Sequence, residues 1–311
     1  MILLWGLSGD GPFDRVCAAL QRRGAEVAVI DQRQVLQTSA DLRFGKELEA
    51  SVDVDGMSVP LDDVGAVYWR TYDATRLPSV LAADPELNDG AALRSAWAVE
   101  EAMVVWLEMT SACVVNRPSN MTSNGSKPYQ LEILRSHGFE VPTTLVTTDP
   151  DAVRRFWTDH GAAIYKSISG TRSVVSRLGE SHLDRLDHVV WCPTQFQRYV
   201  PGRDHRVHVV GDDVFACEVL SDADDYRYAG LHGEPARLRE ARLPQDVAQR
   251  CIDVTRSLGL HLAGVDLRRA PDGRWYCFEV NPSPGFSYYE AHTGQPIAGA
   301  IASFLTNAAR Q

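Results

Sequence analysis

Short apolar runs bounded by glycine and polar clusters alternate with stretches of helical period along the first third of the chain. Ile2, Leu3, Leu4 and Trp5 form the first run and end in a turn rich in glycine, Gly6 to Pro12. Residues 13–23 then place Val16, Ala19 and Leu20 on one helical face, with Gly24 as the stop. Residues 27–31 read as a second buried strand and 64–70 as a third. Residues 89–109, with Trp97, Val104 and Leu107, read as a long helix. A strand at 113–116 ends at Arg117-Pro118, a lobe boundary. Beyond it, 127–137 is expected to be a helix stopped by Gly138, and 141–147 an edge strand, because Pro142 has no N–H to donate to a ladder. Strand-like stretches follow at 162–166, at 194–202, and at 204–219, the last folded about Gly211-Asp212. Two more, 262–267 and 275–281, are joined by the turn Pro271-Asp272-Gly273, and 297–309 reads as a closing helix. The pattern is that of an α/β protein.

Composition narrows the field. The 311 residues, 44% apolar and 23% charged, suffice for two or three packed lobes of an ordinary globular protein. A net charge of −10 with no Lys/Arg-rich stripe argues against nucleic acid as a partner. No run approaches membrane-spanning length, and the apolar start is too short and lacks the basic flank of a signal peptide. Six scattered cysteines without a C-x-x-C pair are expected to be buried free thiols, consistent with a cytoplasmic chain lacking a zinc site.

The chemistry-bearing residues concentrate late in the chain. Asp266 sits in an apolar strand, and Glu279 and Asn281 lie two apart, on one face of the strand that returns from the turn. Two carboxylates and a carboxamide converging in this way suit Mg²⁺, which takes oxygen ligands and shares its shell with nucleotide phosphates; two strands carrying chance polar residues is the bland reading of the same spacing. Lys166 ends a strand and precedes a loop of small residues, Ser167 to Ser173, suited to phosphate oxygens, although no G-x-x-x-x-G-K-[ST] P-loop exists in the chain. Lys127 opens a helix behind Ser123, Asn124 and Ser126, all good capping residues. Asp204, Arg206 and His208 share one strand face, either wet or lining a cleft. His208 is a candidate general base or a hydrogen-bonded structural histidine. The β-α-β opening also admits a dinucleotide reading with Asp31 on a ribose, but the glycines run G-x-x-G-x-G rather than G-x-G-x-x-G. The acidic stretch Asp222 to Asp225 is either solvated or a lure for a cationic partner, and the adjacent Tyr288 and Tyr289 are expected to divide between surface and packing.

From about Asn116 onward these residues resemble the ATP-grasp superfamily, in its RimK-like branch. The most specific stretches are Gly264-Val265-Asp266-Leu267, the run from Glu279 through Asn281-Pro282-Ser283-Pro284-Gly285 to Phe286, and Thr293-Gly294-Gln295-Pro296. The N-terminal third, with Tyr68-Trp69-Arg70, resembles the pre-domain of MvdD-like peptide maturases. The resemblance implies an ATP-grasp fold with an α/β pre-ATP-grasp domain at 1–117, a central lobe at 118–190 and a C-terminal lobe at 191–311. It implies ATP and Mg²⁺, with Mn²⁺ as a substitute, as cofactors. Lys127 and Lys166 fall at the ATP lysines, and Gln197, Arg198, Tyr199 and Val200 at the adenine hinge. Asp204 falls at the ribose, Arg206 and Arg227 on the phosphate side, and Asp266, Glu279 and Asn281 at the metal. Lys166, Arg206 and Arg227 would be the catalytic cations. Two positions depart from the family pattern: Arg198 stands where the hinge commonly has Glu, and Ala229 where Asn is common.

The implied activity is ATP-dependent joining of a carboxylate to an amine or hydroxyl through an acyl phosphate, with release of ADP and phosphate. The favoured substrate is a ribosomal precursor peptide modified on its side chains. A free-standing amino-acid or small-peptide ligase is the alternative, and a nucleotide-binding scaffold is the non-enzymatic one. A homodimer is compatible with the resemblance.

Overall fold

A computed structural model of the chain describes residues 1–46, 48–85, 90–168, 175–221 and 236–310. The chain opens as read: strand β1 (Ile2–Gly6), helix α1 (Gly11–Arg22) and strand β2 (Val27–Asp31). Asp10 caps α1, its carboxylate accepting from the Phe13 N–H at 3.1 Å. A three-stranded antiparallel meander follows, β3 (Thr38–Phe44), β4 (Leu48–Val54) and β5 (Met57–Pro60). Its Asp55-Gly56 turn has φ of 50° and 83°, the positive pair a two-residue hairpin of type I′ demands. Strands β6 (Ala66–Arg70) and β7 (Cys113–Val115) complete a parallel sheet in the order β2-β1-β6-β7; helices α2 (Pro78–Ala83) and α3 (Ala91–Met109) lie between them in sequence.

Each face of that parallel sheet is covered, as parallel sheets require. Leu3, Trp5, Val67 and Trp69 pack on one side with α3 and the meander. On the other side Ile2, Leu4, Ala66 and Tyr68 meet α1 and the last helix of the chain, whose Ile297, Ile301 and Leu305 are fully buried. The same cluster takes in Val210, Leu262 and Phe286, so one apolar core joins the first sheet to the C-terminal part of the chain.

Helix α4 (Lys127–Ser136) comes next, and its N-cap Ser126 makes no side-chain capping bond, contrary to the expected role. The second sheet, in the order β10-β9-β11-β8, combines β8 (Thr144–Thr147), β9 (Ala163–Ser167), β10 (Ser176–Arg177) and β11 (Thr194–Arg198), with β8 at an edge as Pro142 suggested. Helices α5 (Pro150–His160) and α6 (Glu180–Leu183) accompany it, and Val153 of α5 packs on Phe196 of β11 in its small core. The third sheet is antiparallel, in the order β14-β13-β12-β15-β16: β12 (Arg203–Val210), β13 (Asp213–Leu220), β14 (Arg237–Ala241), β15 (Leu262–Arg269) and β16 (Trp275–Asn281). One face carries Val207, Val209, Val265 and Val280 and is buried by α4 and α7 (Gln245–Ser257). Helices α8 (Ser287–Thr293) and α9 (Ile297–Ala308) close the chain.

All six cysteines are free thiols; Cys217, Cys251 and Cys277 are buried as expected, while Cys192 is exposed. Among the described residues no helix is long and apolar enough to cross a membrane. Because α9 supplies the shared core, Ile301→Ala is expected to cost about 2–5 kcal/mol. Denaturant unfolding should show a lowered midpoint with the slope unchanged; an unaltered midpoint would contradict the role given to this helix.

Candidate active site

The second and third sheets face each other across a cleft that is open to solvent. Ile164, Lys166, Gln197 and Arg198 line it from one sheet, and Asp204, Asp266, Arg268, Phe278 and Glu279 from the other, with Tyr199 and Val200 between them. Period-two alternation accounts for the first group, since Lys166 and Ile164 stand opposite Gln195 and Gln197 on one sheet face. Phe196 points the other way, into the small core.

On the third sheet the chemistry lies in rows across the strands. Arg206 pairs in register with Asp266, which pairs with Glu279; His208 pairs with Gly264, which pairs with Asn281. Asp266, Glu279 and Asn281 are therefore brought to one face. The register then shifts so that Leu267 opposes Cys277, leaving Phe278 as an extra residue in β16. Cys277 is fully buried on the helix-packed side, while Phe278 and Glu279 both line the cleft.

Two of the carboxylates on this face are paired with arginines. The Arg206 guanidinium, 7% exposed, donates to Asp266 Oδ1 at 2.6 Å. An added Cβ on Gly264 would lie 2.3 Å from Arg206 Nη2 and 2.7 Å from Pro284 Cβ, so only glycine leaves room for this guanidinium. Arg268, which sequence reading did not single out, holds Asp204 through two bonds of 2.6 and 2.9 Å and donates to the Val200 carbonyl at 2.8 Å. Asp204, assigned to a ribose by the resemblance, thus also has an ion-pair partner within the protein. Among the described residues the Glu279 side chain makes no hydrogen bond or ion pair, whereas Asn281 Oδ1 accepts from the Ser283 N–H at 2.9 Å.

At the hinge, two N–H groups are already committed: Arg198 N donates to Thr143 O and Tyr199 N to Ala162 O, each at 2.9 Å. Gln197 Nε2 donates to Thr144 Oγ1 at 3.0 Å, leaving its buried Oε1 with no partner among the described residues. Such an orphaned acceptor costs free energy unless a ligand donor meets it. Lys127 is buried at the start of α4 and does not line the cleft. Arg227, residues Asp222 to Asp225 and most of the small-residue loop after Lys166 lie outside the described residues. Asp31, the dinucleotide candidate, instead accepts from the Ser8 N–H and pairs with Arg33. Tyr288 is 45% exposed and Tyr289 buried, dividing as expected.

The RimK-like ATP-grasp domain family matches residues 126–305, more than half of the 311-residue chain. The chain belongs to the RimK-like ATP-grasp family. With that membership it is an ATP-grasp ligase, and the resemblance read from the G-V-D-L and E-V-N-P motifs is borne out together with the α/β fold. Among curated relatives, a Shewanella loihica protein named "Probable alpha-L-glutamate ligase" is 28% identical over 221 residues, 67% of this chain and 72% of the relative. A Teredinibacter turnerae protein of the same name is 25% identical over 298 residues, 91% of this chain and 96% of the relative. Among solved structures, the ATP-grasp ligase PsnB, complexed with a phosphomimetic variant of its minimal precursor, Mg and ADP, is 28% identical with a TM-score of 0.78, covering 99% of this chain and 98% of PsnB. The macrocyclase MdnC from Microcystis aeruginosa MRC, bound with the precursor peptide MdnA, superposes with a TM-score of 0.83 at 21% identity over 99% of this chain and all of MdnC, a likeness of fold.

His208 is 1% exposed, beside Tyr289 at 5.1 Å between ring centroids, and is not a lining residue of the cleft. Burial and then the Arg206 charge hold its imidazole well below the usual 6.5. Its folded pKa is depressed, so the unfolded chain binds more protons just below pH 6.5, and stability present above that pH is lost as pH falls. His205 and His261, also lowered chiefly by burial, act in the same direction. Urea unfolding should therefore show stability falling from about pH 7.5 to about 5.5, less steeply in His208→Asn. Equal slopes in the two proteins would contradict a neutral buried His208.

Proposed function

We propose that this ligase joins side-chain carboxylates of a ribosomal precursor peptide to amine or hydroxyl groups of the same peptide. The observation that carries the chemistry is the in-register Asp266–Glu279 pair on the cleft side of the third sheet, with the Glu279 carboxylate unengaged among the described residues. Hard oxygen donors of this kind fit Mg²⁺, and Asp266, Glu279 and Asn281 are the residues that would hold it. Bound there, Mg²⁺ supplies neutralisation of phosphate charge; Mn²⁺ is its expected substitute. The orphaned Gln197 Oε1 fits a donor such as the amino group of adenine, with the Val200 N–H as the hinge donor once those of Arg198 and Tyr199 are excluded.

The residues of the chain then divide the work. Lys166, at the end of its strand in the cleft, meets phosphate charge, and Lys127 is assigned to the same nucleotide. Asp204, oriented by Arg268, is placed to accept from a ribose hydroxyl. Arg206, anchored on Asp266, faces the transferred phosphoryl group or the acyl phosphate, with Arg227 assigned to the same side. The substrate carboxylate oxygen attacks the γ-phosphorus of ATP and the bond to the β-phosphate oxygen breaks, releasing ADP. The amine or hydroxyl then attacks the acyl carbon, loses its proton, and phosphate departs with the bridging oxygen. Such transfer demands positioning and charge neutralisation more than covalent participation by the protein. The free cysteines fit the reducing cytoplasm as the place of action.

The peptide substrate is supported by similarity over the whole chain to PsnB, complexed with its precursor. The curated relatives named as glutamate ligases favour a second reading, ligation of a free amino acid. Product masses separate the two: incubation with ATP and Mg²⁺ should yield ADP and a peptide lighter by one water per bond. A product heavier by an appended residue would establish the second reading, and AMP with pyrophosphate would exclude the acyl phosphate.

Glu279→Gln, Asp266→Asn and Lys166→Ala are each expected to abolish ADP formation while circular dichroism stays unchanged; full activity in Glu279→Gln would remove the metal assignment. Gly264→Ala, by displacing Arg206, is expected to lower the rate on the order of a hundredfold, and an unchanged rate would show that the guanidinium plays no part.

A further inference from the structure

We propose that Gln130 is a positioning residue for the metal, acting through the backbone of the strand that carries two of its ligands. The inference rests on the assignment of Asp266, Glu279 and Asn281 to Mg²⁺. Gln130 lies on α4, three residues after Lys127, and is 2% exposed. Its Oε1 accepts from the Val280 N–H at 2.9 Å and its Nε2 donates to the Val280 carbonyl at 2.8 Å. The reciprocal pair dictates which way the amide points.

Val280 stands between Glu279 and Asn281 in β16, the edge strand of its sheet. At an edge, alternate residues turn both backbone polar groups away from the neighbouring strand. One side-chain amide here replaces the missing strand at a single residue. The Val280 N–H belongs to the peptide unit it shares with Glu279, and its carbonyl to the unit it shares with Asn281. Gripping both fixes the planes from which the two side chains project. Without Gln130 both groups would be buried and unsatisfied, and the strand would have to shift to find partners.

A second clamp closes the same strand end from another segment. Asn116, also 2% exposed, donates from Nδ2 to the Pro282 carbonyl at 2.6 Å and to the Leu262 carbonyl at 2.7 Å, and its Oδ1 accepts from the His261 and Leu262 N–H groups at 2.8 and 3.2 Å. Asn281 therefore sits between two residues held by buried amides. The grip of Gln130 also ties the metal strand to the helix that begins at Lys127.

The test is Mn²⁺ binding to the ADP-saturated protein, read by loss of the free-ion EPR signal, with hydrogen exchange followed in the segment 278–283. Gln130→Met keeps the bulk and removes both bonds; should it fail to fold, Gln130→Asn, which draws the amide back by one methylene, replaces it. Leu134→Ala, buried on the same helix with no polar group, controls for lost packing. Gln130→Met is expected to weaken Mn²⁺ binding about tenfold, the scale of supporting contacts around metal ligands, and to speed exchange at 278–283. Leu134→Ala should lower Tm with Mn²⁺ affinity unchanged. If Glu279→Gln weakens Mn²⁺ binding and Gln130→Met does not, or Leu134→Ala weakens it equally, the inference is wrong. If Glu279→Gln itself binds Mn²⁺ as the wild type does, the metal assignment fails instead.

Discussion

Everything in the cleft depends on one extra residue in an edge strand. Phe278 breaks the two-residue alternation of β16, so Cys277 stays with the helix-packed core while Glu279 turns to stand beside Asp266. In an unbroken ladder, Cys277 and Glu279 would share a face, and one would have to leave its environment. The bulge reconciles an apolar seal on one side with a carboxylate on the other. Arg206 then completes the row, its 2.6 Å bond to Asp266 setting a buried guanidinium against a carboxylate.

A bulged edge strand is locally weak, and the surrounding structure compensates at successive positions. Gln130 takes the backbone of Val280, Asn116 that of Pro282, and Arg70 donates to Ser283 Oγ and the Pro284 carbonyl at 3.1 and 3.2 Å. Arg70 is in turn anchored at 2.5 Å by Asp10, the residue that caps α1. These contacts come from the first sheet, from the end of β7 and from α4, so segments far apart in sequence converge on the five residues that follow Glu279. The core shared by α9 and the parallel sheet holds the same parts together in apolar terms.

Much of this was legible in the chain. Glu279 and Asn281 were placed together by period two, and the Pro271-Asp272-Gly273 turn brought Asp266 beside them as an antiparallel neighbour. The meander at 38–60 was not read, although Leu48, Ala50, Val52 and Val54 alternate and run into Asp-Gly, a hairpin signal as strong as any in the sequence. Other features had no local signature. A bulge replaces a local pattern with a choice made by two faces at once, and nothing in Cys277-Phe278-Glu279 announces it. Gln130 looks like any polar residue in a helix, because its partner lies 150 positions away. The Asp204–Arg268 pair is equally non-local, and it is why a residue read as a ribose contact proves also to be tethered.

The most direct test of the account is the fate of an oxygen label. A substrate peptide carrying ¹⁸O in the reacting carboxylate, incubated with ATP and Mg²⁺, should transfer one ¹⁸O to inorganic phosphate for each bond formed, because the bridging oxygen of the acyl phosphate leaves with phosphorus. Label recovered in AMP would instead mean adenylation. Unlabelled phosphate released with product would mean that ATP is cleaved without activating the acid, and either result would contradict phosphoryl transfer to the carboxylate in this cleft.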